Sequence, residues 1–96
     1  MLLRHALGEQ LRHARHDSGL SIRALSSAAG VSIGYLSEIE RGRKEVSSEI
    51  LAAICRALNL ATATVVATAA ERMAAPSAEV VPMPRAAADD ATVSAA

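Results

Sequence analysis

Leu3, Leu7, Leu11 and Ala14 recur at the three- and four-residue spacing of a helix, with Arg4, Arg12 and His13 off that stripe. Asp17-Ser18-Gly19 ends this first segment. Ser21 stands where an N-cap oxygen accepts a hydrogen bond from the first helical turn, and Gly30 supplies a stop, so the pattern predicts a second helix over "IRALSSAAG". Ser32 caps a third, "IGYLSEIER", which ends at Gly42. Ser47 or Ser48 caps a fourth, in which Leu51, Ile54 and Leu58 share a stripe and Asn59 suits the C-terminal end. A fifth segment, about Thr62 to Ala74, carries Val65, Val66, Ala69, Ala70 and Met73; its threonines and valines lower its intrinsic helicity. No strand pattern or internal repeat interrupts this series. The expectation is an all-α domain of five helices.

The character changes at Pro76. Pro76, Pro82 and Pro84 interrupt any helix and small residues dominate, so residues 76–96 read as a disordered Ala/Pro-rich tail behind a folded unit of residues 1–75. Ninety-six residues allow one small domain of marginal core, the kind that a partner chain can stabilise. Tyr35 is the only aromatic residue, which argues against base stacking on single-stranded nucleic acid. Cys55 is the only cysteine, so no internal disulfide framework exists. No apolar run is long enough to span a membrane, and "MLLRHALGEQLRHARH" lacks a separate apolar signal core; the reading is cytoplasmic, with no membrane partner.

Net charge is zero but unevenly spread. Residues 1–60 hold 8 Lys+Arg and 6 Asp+Glu, or +2; residues 61–96 hold 2 and 4, or −2. The basic surplus lies with the second and third helices, and it is too small to argue a nucleic-acid footprint alone. That pair of helices argues for itself. A helix, a short turn and a second helix form the helix-turn-helix unit. Gly30 lets the chain turn where a side chain would strain or clash. Leu25, Ala29, Val31, Leu36 and Ile39 can interlock the helices, and Ser26 is small where they approach. The competing reading is a plain helical hairpin in a small bundle.

The stretch "LRHARHDSGLSIRALSSAAGVSIGYLSEIERGRKEVSSEILAAICRALNL" resembles the five-helix phage-repressor type, the XRE or Cro/C1 family, over about Leu3 to Ala74. Within it, "GYLSEIERGRKE" followed by "SSEILAAICRAL" more narrowly resembles the actinobacterial regulators of Clp-protease genes. The resemblance implies an all-α domain that binds double-stranded palindromic operators as a homodimer. It further implies activation of Clp and proteostasis genes, with RNA polymerase as the partner an activator meets. It implies no cofactor and no enzyme activity, and the residues agree: there is no phosphate-binding glycine loop, nucleophile–base pair or metal set. Repression, or service as an antitoxin or adaptor through the same fold, are the alternatives. An antitoxin would fold its tail on a toxin, with Val80, Val81, Met83 and Val93 as anchors.

Two positions depart from the family pattern. Ile22 replaces a glutamine common near the start of the second helix, and Ile33-Gly34 replaces polar residues that commonly open the third. Amide-to-adenine contacts therefore do not carry over. In their place Gly34 permits close backbone approach, Ile33 can touch a thymine methyl, and Ser32, Tyr35, Ser37 and Glu38 are the polar candidates, Glu38 as an acceptor from cytosine N4. Arg23 can reach phosphate or guanine. Arg41, Arg43 and Lys44 suit phosphates, against a bland reading as a solvated turn beside Glu45. Glu40 is better explained by structure, because the family pairs an acid here with an arginine at the position of Arg15.

The fifth segment offers Val65, Val66, Ala69 and Met73 as a dimer interface, the alternative being that the fold uses this apolar surface internally. His5, His13 and His16 are too poorly spaced for a metal and read as solvated helix positions; Cys55 reads as a small core residue. Asp89-Asp90 keeps the tail soluble. The terminal "ATVSAA" resembles the end of tags read by Clp-type proteases, which makes Val93, Ala95 and Ala96 a candidate degradation signal and a Clp protease a candidate partner.

Overall fold

In the computed structural model, which describes residues 1–74, five helices follow one another: α1 (Leu3–Asp17), α2 (Ile22–Ala29), α3 (Ile33–Glu40), α4 (Ser48–Ala57) and α5 (Thr62–Met73). There is no strand among the described residues. The tail from Pro76, with the candidate signal Val93, Ala95 and Ala96, lies outside them.

Three of the five helices begin on a serine. Ser21 Oγ accepts from the Ala24 amide at 3.0 Å, Ser32 Oγ from Tyr35 at 3.1 Å and Ser47 Oγ from Ile50 at 3.2 Å. Each cap satisfies a donor with no helical partner and contributes about 1 kcal/mol. Gly30 takes φ 72°, where its amide bonds Ser26 O at 2.9 Å and the chain reverses into α3. A side chain there would be strained, but a Cβ would meet nothing within 4 Å, so the demand is conformational and not one of space. Asn59 closes α4 at φ 59°.

The helices α1 and α5 have no side-chain cap. They hold each other instead. The helix contacts form a closed circuit: α1 against α3 and α5, α2 against α3 and α4, and α4 against α5. Leu7, Leu11, Leu25, Leu36, Ile39, Leu51, Ile54 and Val65 fill the space inside it. On the outside of the α1–α5 seam, Arg72 donates to Gln10 Oε1 at 3.0 Å, to Glu9 Oε1 at 3.5 Å and lies 2.9 Å from His13 Nδ1. Arginine carries only donors, so Nδ1 of His13 is the acceptor nitrogen.

Two expectations need correction here. Leu3 is exposed, and the inward stripe of α1 is Ala6, Leu7, Leu11 and Ala14 together with Gly8. Gly8 sits so close to the carbonyl groups of Ile39 and Glu40 that a Cβ would collide with both. The residues expected to form a dimer stripe on α5 do not share one exposed face. Val65 and Ala69 are buried in the monomer's own core, because α5 turns that edge onto α1 and α4. Val66 and Met73 remain exposed, and with exposed Ala70 they follow i, i+4, i+7 along one face.

Candidate nucleic-acid interface

The surface of α3 follows from its eight residues. Leu36, Ile39 and Glu40 point inward, and Ile33, Tyr35, Ser37 and Glu38 are half-buried. Gly34, Glu38 and Arg41, spaced i, i+4, i+7, form the outward face. Ser32 sits at its head with its oxygen engaged as the cap. A Cβ on Gly34 would meet open space and its φ is not positive, so nothing among the described residues asks for a glycine at that point.

One carboxylate organises the far end. Glu38 Oε2 lies 3.9 Å from Nη1 of Arg41 and 3.9 Å from Nη1 of Arg43. Glu38 is therefore not a bare acceptor: both neighbouring guanidinium groups compete with any base for the same oxygen. Tyr35 also spends its donor within the chain. Its hydroxyl donates to the Glu45 carbonyl at 3.1 Å, tying the α3–α4 loop to the flank of α3. Glu45 in turn pairs with Arg4 of α1 at 3.0 Å. The loop so held presents Arg43 and Lys44, both exposed. Arg23 is exposed in the first turn of α2.

Beneath this face α3 is anchored to α1. Arg15 Nε donates to Glu40 Oε2 at 2.8 Å and Arg15 Nη2 to Oε1 at 3.0 Å, while Nη1 reaches the Leu20 carbonyl at 3.1 Å. The side chains are 12% and 5% exposed. The hydrogen bonding that Arg15 donates to the Glu40 carboxylate holds the Arg15 pKa above its ordinary value, against the opposing cost of burial. Cys55 lies in the core with its thiol pushed up by burial, offset in part by a hydrogen bond with Thr62.

Stripe reading leaves Arg12 merely off the apolar side of α1. In the structure it lines an open cleft with Arg15, Ile22, Ser37, Glu40 and Arg41. The signal in the sequence is its place three residues before Arg15, one turn away on the same side of the helix.

These features define an all-α domain built around a helix-turn-helix whose second helix bears an exposed, lightly furnished face. The chain belongs to the helix-turn-helix domain family, whose pattern matches residues 6–74. It is 56% identical over 73 residues to the transcriptional regulator ClgR of Mycobacterium tuberculosis, an alignment covering 76% of this chain and 65% of that protein. The chain thus spans less than two thirds of that relative's length. A crystal structure of the clp gene regulator ClgR from Corynebacterium glutamicum superimposes with a TM-score of 0.75 at 55% identity, covering 79% of this chain and 99% of that one. The restriction-modification controller protein C.AhdI from Aeromonas hydrophila matches at 0.63 and 27% identity over 65% of this chain and 94% of its own. No single helix among the described residues is long and apolar enough to cross a membrane.

Proposed function

We propose that this chain is a sequence-specific DNA-binding regulator of transcription that reads a palindromic operator as a homodimer and activates genes for Clp proteases and related proteostasis factors. The observation that carries the reading is the outward face of α3. A helical glycine costs about 0.5–1 kcal/mol relative to alanine, and no packing requirement among the described residues explains Gly34. An outside surface that must come close to the backbone does explain it, and the major groove is such a surface. Glu38 and Arg41 continue that face, Ile33 offers a methyl contact at its edge, and Ser32, Tyr35 and Ser37 frame it. Arg23, Arg43 and Lys44 then meet phosphates beside the groove. With so few base-reading side chains, part of the specificity comes from DNA shape.

Dimerisation uses the exposed stripe of Val66, Ala70 and Met73 on α5. The clp target genes are supported by likeness to a clp gene regulator, and the activator role by the family resemblance of the sequence alone; an activator placed on a promoter has RNA polymerase as its partner. Selection of bound duplexes from a random pool tests the reading. A palindromic logo of two half-sites is expected. Recovery of no sequence preference, with flat salt dependence, overturns it.

A further inference from the structure

An α-helix about 10–12 Å across that lies in a major groove about 12 Å wide has a wall of phosphates along each flank. On α3 the two flanks are marked by Tyr35 and Ser37, which point to opposite sides of the exposed face by helical geometry. The Tyr35 flank has its cations: the loop that Tyr35 holds through Glu45 carries Arg43 and Lys44. The Ser37 flank has none on α3 or its loop except Arg41 at the end. It opens instead onto the cleft between α1, the start of α2 and α3.

That cleft is cationic. Its three arginines and one glutamate sum to 3 − 1 = +2. Arg15 and Glu40 neutralise each other in the floor through two hydrogen bonds. Arg12 is exposed and makes no ion pair or side-chain hydrogen bond among the described residues, so its donors are unspent. Arg41 is 59% exposed and held only loosely by Glu38. The Ser37 hydroxyl adds a neutral donor between them, and Ile22 walls the side.

We infer that this cleft is a phosphodiester subsite in which Arg12 of α1, with Arg41 and Ser37, grips the DNA backbone along the second flank of α3. The inference rests on the DNA-binding reading above and extends it: α1 becomes part of the interface, and the recognition helix is held between two basic edges. The Arg15–Glu40 pair gains a second consequence, since it fixes α1 against α3 at the spacing the cleft requires. Arg12 contributes charge and position but no base preference, because phosphate contacts carry no sequence information.

The experiment compares the full wild-type chain with Arg12→Gln and Arg12→Lys on a duplex selected by the wild-type chain and on a mixed-sequence duplex. Arg12→Gln is expected to weaken both several-fold at about 0.1 M salt and to reduce the log–log salt slope by about one unit, with the melting temperature unchanged. Arg12→Lys restores most of the slope. Replacing single phosphates of the selected duplex by uncharged methylphosphonates should erase the difference between wild type and Arg12→Gln at one backbone position per half-site. Equal affinity and slope for wild type and Arg12→Gln overturn the subsite while leaving the DNA-binding reading intact. Failure of the wild-type chain to bind any duplex overturns that reading itself. Should Arg12→Gln lower the melting temperature, the methylphosphonate series on Arg12→Lys decides: no position-specific loss overturns the subsite.

Discussion

Arg15 and Glu40 meet through two parallel hydrogen bonds of 2.8 and 3.0 Å, and the third guanidinium nitrogen of Arg15 holds the Leu20 carbonyl. One side chain thereby fixes α1, the turn into α2 and the end of α3. Removing either partner leaves a buried charge without compensation. Glu40→Ala and Arg15→Ala should each cost about 3–5 kcal/mol in denaturant unfolding. Glu38→Ala, which loses only loose contacts near the surface, should cost under about 1 kcal/mol. Equal losses for Glu38→Ala and Glu40→Ala would remove the distinction.

Gly34→Ala separates folding from binding. Open space surrounds the position, so the substitution should stabilise the isolated domain by about 0.5–1 kcal/mol, as the helix gains a better former. Affinity for a selected duplex should fall at least tenfold, because the added methyl stands between α3 and the groove. Unchanged duplex affinity would show that no surface approaches this turn.

The two valines at the start of α5 should behave oppositely. Val65 is 1% exposed and Val66 38%. Val65→Ala should destabilise the fold by about 2 kcal/mol through the cavity it leaves. Val66→Glu should leave the melting of the monomer nearly unchanged and, in sedimentation, abolish the dimer together with most operator affinity. A dimer that survives Val66→Glu would place the interface elsewhere.

Burial raises the Cys55 pKa above its ordinary value of 9.0, so the fold favours the neutral thiol. The sign follows from linkage. The unfolded chain begins to release this proton near the ordinary value and the folded chain only above it, so the contribution is present at lower pH. It is lost as pH rises from about 9 through the raised value. Wild-type melting temperature should therefore fall more steeply than that of Cys55→Ala over that alkaline interval, with parallel curves near neutrality. Identical alkaline slopes would show that the thiol ionises as readily folded as unfolded.

The serine caps and glycine stops were readable because each works within four residues: Ser21 with Ala24, Ser32 with Tyr35, Ser47 with Ile50. Tyr35 and Glu38 show where such reading stops. From the chain they are polar positions on an exposed helix. Ten residues on, the Glu45 carbonyl takes the tyrosine hydroxyl, and two arginines crowd one carboxylate oxygen. Arg41 stands at the helical i, i+3 spacing from Glu38, but the Tyr35 contact and that of Arg43 do not follow from helical periodicity, because each depends on how the loop after α3 folds back.

What the sequence by itself determined was the series of five helices, their ends, and the identity of α2 and α3 as a turn-linked pair, since these rest on local hydrogen bonding and on periodicity within single helices. Only the tertiary structure decided which edge of α5 is core. Its wheel of alanine, valine and threonine has no decisive polar side, so the choice of Val65 and Ala69 over Val66 and Met73 belongs to docking on α1 and α4. The same holds for Arg72, whose partners lie 59 to 63 residues earlier, and for Gly8, which is small because the carbonyls of Ile39 and Glu40 pass beside it. It holds too for Arg12, placed beside Ser37 and Arg41 by the packing of α1 on α3. Distance along the chain hides such contacts, because the free energy that selects them is gained only when separate helices meet.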